Sequence, residues 1–521
     1  MENNTQELTN DFSDHETVYL LREKNDGGLV PAGKQAADSA APKTPTTGSF
    51  LTFFNITKCF VGAASFELPW AFKEAGLLGG TIGLLVLALF SYYTLIILAK
   101  CGHFTATIFS SKTHLSLAVG GKTTTDGHNS AAVVGTTRIT YPDIGRTCFG
   151  RIGAFFAWFG IVAMTVGVCG SYLVFMGSAL KHMLSQYSPF FHTTVACTAL
   201  VLPLVIGLSW LRSMRLLAPT SMLGIMALIF SLVVTIVDGA RNESLSVEED
   251  DLVHVGTYPL FLGNAAFLYL IHSVVLPTEQ SMKDRSKYKL CLLASIIFVT
   301  VLNLGFSIIC LMFWKEHTAQ NIIDNLSHGV VTTLVRIFLS IDLLFTFALF
   351  LFPVSEALEH NFFNPSLFGK SWKEEMKRNA LRVLLVVATA GVALSIPFFS
   401  LLTGLSGVFG NNMLGFLLPT LLYIFLSHRF GYWDCLLTSG EEYTTIDEVV
   451  VINSNDFFND ETKGKKRRKP TLRRLFVGRN KAQAWLRLGE LLLCITIFLL
   501  GLAMMGLGIQ AFIHEIIKEY S

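Results

Sequence analysis

The sequence predicts an all-α polytopic membrane protein of about eleven spanning helices, and three observations predict it. Hydrophobic residues make up 51% of the 521 residues and charged residues 15%, where a soluble chain carries roughly 25% charged residues. Apolar runs recur at about the 20-residue length that crosses a bilayer, and the mean hydropathy is +0.51. The connections between the runs alternate between basic and charge-poor, the pattern of a chain threaded back and forth through a membrane. Together these argue against a soluble enzyme. With 40 Lys and Arg against 38 Asp and Glu, the net charge of +2 also argues against a nucleic-acid binder.

The candidate spans, in order, are 51–72, 77–100, 152–180, 192–211, 216–238, 257–277, 289–314, 330–353, 381–398, 401–427 and 485–513. Pro397 separates the ninth from the tenth, because proline lacks the N–H that continues a helix. Arg212 and Arg215 follow span four. Lys283, Arg285, Lys287 and Lys289 follow span six, and Lys370, Lys373, Lys377, Arg378 and Arg382 follow span eight. Ten basic residues from Lys463 to Lys481 precede span eleven. The alternate connections hold one each: Lys73, Lys181, Arg241 and Lys315. This bias puts the N-terminus in the cytosol and the C-terminus outside or in a lumen.

Around the transmembrane domain of 51–513, four segments read as soluble. Residues 1–50 have no apolar stretch of the signal-peptide kind and read as a disordered cytosolic tail. Residues 102–137, rich in Gly, Thr, Ser and His, read as a flexible insertion. Residues 428–482 form a cytosolic linker whose basic tract, 463–481, suits anionic lipid headgroups. Residues 514–521 read as a short outside C-terminus. The sequons Asn242-Glu-Ser and Asn325-Leu-Ser fall in outside loops, where glycosylation is possible; Asn3 and Asn55 begin chance matches. Glu16-Thr-Val-Tyr-Leu20-Leu21 and Tyr443-Thr-Thr-Ile446 have the form of signals read by sorting adaptors, which favours a vacuolar or lysosomal membrane over the plasma membrane. The nine cysteines form no CxxC pair and read as small buried apolar residues. There is no phosphate-binding loop, and the chain is not expected to be an enzyme or to hold a metal or cofactor.

A chain that carries a polar solute must bind it at mid-membrane, and an interrupted helix supplies free backbone N–H and C=O groups for that purpose. Span one has the composition of such a helix. In Lys58-Cys-Phe-Val-Gly62-Ala63-Ala64-Ser65-Phe66-Glu67-Leu68-Pro69, the small run permits unwinding. Pro69 then fits the first turn of a new half-helix whose positive end faces an anion.

The stretch KCFVGAASFELPWAFKEAGLLGG, followed by LAKCGHF, resembles the amino acid/auxin permease family, in its branch of vacuolar amino acid exporters and proton-coupled amino acid transporters. VLPTEQSMK at 275–283, FPVSEALE at 352–359 and LLTGLSGVFGNNMLGFLLP at 401–419 extend the resemblance over 51–510, apart from the inserted loops. The resemblance implies LeuT-type inverted five-helix repeats, with helices one and six broken around a central site and an eleventh helix added. It implies amino acid substrates, with the α-carboxylate on the backbone of Gly62, Ala63, Ala64 and Ser65. Tyr269 and Ser273 of span six would bound the side chain.

This sequence departs from the family pattern at two places. Glu67 stands where a glycine is usual, and Tyr269-Leu270-Ile271 stands where an acidic residue is usual. An ionised group at mid-membrane costs several kcal/mol unless paired or hydrated, so Glu67 and His272, the one histidine well inside a span, are candidates for a proton-responsive pair. Alternatively, Glu67 holds the ammonium of a cationic amino acid. Asp342 in span eight is expected to pair with Lys58 or to lie near Arg336; lining the pathway near span one is the alternative. Glu279 and Glu356, at cytosolic helix ends, are expected to make gate or interface ion pairs. Asn411, beside Asn412, is expected to face the bundle as a gate or glue residue. The expected activity is secondary active, proton-coupled amino acid transport by alternating access. Sodium coupling through oxygens between spans one and eight is an alternative, and an amino acid sensor with little net flux is another.

Overall fold

The residues described in the computed structural model are 47–119, 139–185, 187–210, 218–244, 252–327, 329–363, 372–430 and 481–520. All belong to one of the chain's two units, 45–127 with 137–521. They are helical almost throughout, because a membrane leaves backbone groups no partner but the helix itself. The only strand-like pairing among them is a bridge between Thr47 and Met282. The sorting-signal motifs and the tract 463–480 lie outside the described residues.

Span one is two helices, α1 (Ser49–Phe60) and α2 (Ala64–Ala75), bent by 53°. Next come α3 (Leu77–Val119), α4 (Tyr141–Leu184), α5 (Thr194–Ser209) and α6 (Ala218–Asn242). Span six is again two helices, α7 (Tyr258–Leu268) and α8 (His272–Ser281). Then follow α9 (Tyr288–Trp314), α10 (Val330–Phe362) and α11 (Trp372–Ser395). Span ten begins as α12 (Phe399–Ser406), widens into a π-helix over Gly407–Leu417, and ends as α13 (Leu418–Phe430). The last helix is α14 (Lys481–Tyr520).

Among the described residues nine helices are long and apolar enough to cross a membrane, and α1 with α2 makes a tenth. The expected span at 192–211 is represented by α5, an apolar helix of 16 residues. At 1.5 Å per residue it rises about 24 Å, short of the roughly 30 Å hydrocarbon core.

Several expectations are corrected. Residues 102–119, expected to be flexible, continue α3 as helix, and 514–520, expected to be a tail, continue α14. Composition alone missed these extensions because helix ends outside the apolar core carry no hydropathy signal. Pro69 does not open a half-helix. It is the sixth residue of α2, and the break falls earlier, where Val61 is extended (φ −87°, ψ 114°). Within α4 the chain kinks at Phe149 and Gly150, and Gly150 takes φ +62°, a left-handed conformation that glycine alone adopts without strain.

The last helix packs on the bundle at both of its ends, while most of its apolar surface stays exposed. Phe512 of α14 is fully buried, and its ring lies against Gly263 of α7 and Gly404 of α12. At the other end of α14, Glu490 accepts a hydrogen bond from the Tyr423 hydroxyl at 3.2 Å, and Cys494 lies 3.1 Å from the Tyr93 hydroxyl. All eight described cysteines are free thiols, seven of them buried, as expected of small apolar residues.

Candidate functional site

The break between α1 and α2 borders a cavity of about 40 Å³, room for no more than a few waters. Phe60, Val61, Gly62, Ala63 and Ala64 line one side; Tyr172, Phe267, Leu270, Thr346 and Phe350 line the others. A side chain on Gly62 would meet nothing within 4 Å, so the backbone there faces open space. Beyond the break, Ser65 N–H donates to the Gly62 carbonyl and Phe66 N–H to the Ala63 carbonyl. The amides of Gly62, Ala63 and Ala64 reach no backbone carbonyl among the described residues. Free amides at the start of a helix form an anion-binding end.

Lys58 and Asp342 also line this cavity. Lys58 Nζ donates to Asp342 Oδ1 at 2.7 Å, with the side chains 14% and 8% exposed. The pair sits at the meeting of α1, α6 and α10: a methyl group on Gly224 of α6 would fall on both the carboxylate and the ammonium. The expected partnership with Lys58 is therefore present, whereas Arg336 bonds the Ile323 carbonyl at 3.0 Å.

Three of the six residues expected to hold the solute line the cavity: Gly62, Ala63 and Ala64. The other three do not. Ser65 is buried with its hydroxyl unpartnered. The Tyr269 hydroxyl is 2.7 Å from Thr300 Oγ1 and its ring stands edge-on to Phe60 at 6.0 Å. Ser273 lies past the break, in α8. Tyr172, Thr346 and Phe350 were not foreseen; they sit in regular stretches of α4 and α10, where nothing in the sequence sets them apart from other core residues.

The expected pairing of Glu67 with His272 does not form. Glu67 is fully buried. The Thr403 hydroxyl of α12 donates to its Oε2, and Oε1 has no partner. His272, also fully buried, has Nε2 3.0 Å from Thr94 Oγ1 of α3, while Nδ1 has no partner. Neither residue lines the cavity, so Glu67 is not placed to hold the ammonium of a solute bound there.

The helix-end acids divide. Glu279 meets His103 Nε2 at 2.6 Å, joining α8 to α3. Glu356 is exposed and makes no ion pair among the described residues. Its expected role falls to Glu359, 1% exposed, which binds Arg378 at 2.6 Å and Arg382 at 2.5 Å. Arg382 also donates to the Ser209 carbonyl at the end of α5. The two glutamates lie three residues apart, and only the inward-facing one finds the arginines of α11. Glu359→Gln is therefore expected to lower stability by about 3–5 kcal/mol, because Arg382 is left buried without its counter-charge. Glu356→Gln should stay within about 0.5 kcal/mol of wild type. Thermal melting of the two purified variants compares them directly.

Asn411 is buried in the π-helix with neither side-chain polar atom partnered, while Asn412 donates to the Val408 carbonyl at 2.6 Å. Of the two sequons, Asn242 is exposed and, among the described residues, donates to the Asp238 carbonyl in the preceding turn. Asn325 has its amide tied to the His317 carbonyl at 2.7 Å and its oxygen to Ala319 N–H at 2.7 Å. Glycan attachment at Asn325 would require that loop to open.

Residues 45–433 match the family model described as transmembrane amino acid transporter protein. Amino acid transporter AVT3C of Arabidopsis thaliana is 26% identical over 415 residues, which cover 76% of this chain and 87% of that protein. Amino acid transporter AVT3B of the same plant is 27% identical over 415 residues, covering 76% and 90%. Amino acid transporter ANT1 is 26% identical over 414 residues, covering 74% and 88%. The matched family and these relatives are transporters and not enzymes. The match spans most of the chain, and the chain belongs to the transmembrane amino acid transporter protein family.

Proposed function

We propose that this protein moves amino acids across a membrane by alternating access, coupled to protons, with the solute bound at the break between α1 and α2. The observation that carries the reading is the interrupted backbone of span one beside a charged pair. Free amides of Gly62, Ala63 and Ala64 face an α-carboxylate, while Lys58 and Asp342 supply one charge of each sign to a zwitterion. Tyr172, Phe267, Leu270 and Phe350 bound the side chain. The two interrupted spans stand five apart in the chain, which supports the inverted-repeat organisation that alternating access uses.

Proton coupling is favoured over sodium coupling by the occupant of the seam between α1 and α10. An ammonium, Lys58 Nζ, already sits on the Asp342 carboxylate there, where a bound sodium ion would need the same oxygen atoms. Glu67, buried with one oxygen unpartnered, is the proton-carrying group of this reading. The sorting-signal motifs favour a vacuolar or lysosomal membrane, with the N-terminus in the cytosol and the exposed sequon at Asn242 in the lumen.

The test is uptake by the purified full-length chain in liposomes. A labelled amino acid mixture is offered under an imposed pH gradient and, separately, an imposed sodium gradient. Accumulation that follows the pH gradient is expected. Accumulation that follows sodium alone would overturn the coupling, and binding without flux would leave a sensor in place of a transporter.

A further inference from the structure

Buried polar atoms without partners are rare in proteins and costly in a membrane interior. In this fold several of them fall along one seam, where α12 and the π-helical stretch lie against α7 and α8. At one end is Glu67 Oε1, with Thr403 donating to the other carboxylate oxygen. Asn264 of α7 stands beside Thr403, its Oδ1 3.3 Å from the hydroxyl. Both polar atoms of Asn411 follow, unpartnered. At the far end is His272, whose Nδ1 is unpartnered and whose Nε2 meets Thr94.

Glycines fix the order of these groups. A side-chain carbon on Gly404 would stand 2.7 Å from Asn264 Oδ1. One on Gly407 would fall on the Gly263 carbonyl. One on Gly415 would meet Asn411 Oδ1 at 2.6 Å and His272 Nδ1 at 3.1 Å. Asn411 and His272 thus border the same small space, and span ten contributes no side chain at the three positions nearest the seam. The π-helix that carries Asn411 runs for eleven residues, whereas π geometry is ordinarily a single-turn feature and is often found at functional sites.

We infer that this seam is a hydrated proton path joining Glu67 to His272, separate from the cavity that binds the solute. Water bridging two to four polar groups is what satisfies such buried atoms, and Glu67, Asn411 and His272 supply the acceptors and donors. A proton leaving the Glu67 carboxyl enters the path at Oε1, and an equivalent proton is taken up at His272 Nδ1. A carboxylate and an imidazolium result, and the net charge of the seam does not change. Facing His272 from α3 and the π-helix are Thr94, Asn411 and Gly415, none of them ionisable. Near Glu67 the ionisable neighbour is Tyr172 of α4, which lies within electrostatic reach of Asp342 as well. None of Glu67, Thr403, Asn411 and His272 lines the solute cavity, so the proton and the amino acid travel by different walls of the same bundle. Asn411 is then a positioning residue: it borders the space beside His272 Nδ1 and does not line the solute cavity.

The inference rests on the proton-coupled reading, and the experiment separates the two. The full-length chain in liposomes is assayed with a labelled amino acid mixture in two ways: accumulation driven by a pH gradient, and counterflow exchange at equal pH. Asn411→Leu, close in volume and apolar, is expected to lower driven accumulation about tenfold, the order of a typical coupling free energy, with counterflow unchanged. Asn411→Ser, small and polar, is expected to keep accumulation within about twofold of wild type on the same scale. It also serves where leucine does not fit. Full accumulation in Asn411→Leu overturns the path and leaves proton coupling standing. Parallel loss of accumulation and counterflow in both variants also overturns it, because Asn411 would then serve the conformational cycle. A wild-type protein that exchanges but never follows the pH gradient overturns the coupling itself and the path with it.

Discussion

Glu67→Gln is expected to abolish accumulation driven by a pH gradient while leaving exchange at equal pH intact. Glutamine keeps the shape of glutamate and can still accept the hydrogen bond from Thr403, so the packing of α2 on α12 is preserved. What it removes is the exchangeable proton. A gradient of one pH unit is worth ~1.4 kcal/mol per proton and supports roughly tenfold accumulation for one proton per solute. The variant should equilibrate the solute at a ratio of about one, the limit when no proton is coupled. The measurement is the steady-state ratio of labelled amino acid inside and outside liposomes, wild type beside variant. A variant that still concentrates solute like wild type would remove Glu67 from coupling. A variant that loses only lysine and arginine would make Glu67 the partner of a cationic side chain, a role that its absence from the cavity lining argues against.

Removal of Asp342 is expected to lower stability and to abolish transport. Asp342→Ala leaves the Lys58 ammonium, 14% exposed, without its counter-charge at the meeting of three helices. Breaking a buried pair from one side costs about 3–5 kcal/mol, and access from the cavity puts this case at the lower end. Replacing both partners, Lys58→Met with Asp342→Leu, should recover most of that loss, because apolar side chains of similar volume often match a buried ion pair. The double variant should nevertheless fail to transport, since the cavity then offers a zwitterion no charge. Melting temperature in detergent reads the first effect and liposome uptake the second. A stable single variant would mean that the pair carries no structural load; a transporting double variant would mean that the solute does not use it.

These expectations draw on features that differ in how legible they were. Glu67, His272, Lys58 and Asp342 could all be singled out from the sequence, because charge is rare in a span and must be accommodated. Their partners could not. Thr403, Thr94 and Gly224 are ordinary residues of apolar helices, and each becomes specific through a helix that is distant in the chain. The Glu67–His272 pairing failed for this reason: two titratable groups on broken helices were assigned to each other, while the fold gives each a threonine from a third helix. Glu356 and Glu359 make the same point over one turn, where a small rotation about α10 decides which carboxylate faces Arg382.

By itself the sequence determined that the chain is a multi-spanning helical membrane protein, where most spans lie, and that the first is interrupted near Gly62. Hydropathy and small-residue runs are local properties, and the membrane turns them directly into helices and breaks. Only the tertiary structure decided that the break opens on the Lys58–Asp342 pair and that α14 closes the bundle over Gly263 and Gly404. It also decided that span ten widens into a π-helix against His272. Those outcomes depend on which helix faces which, and close packing at glycines sets that within tenths of an ångström, a scale at which side-chain identity along one helix carries no information about its neighbours.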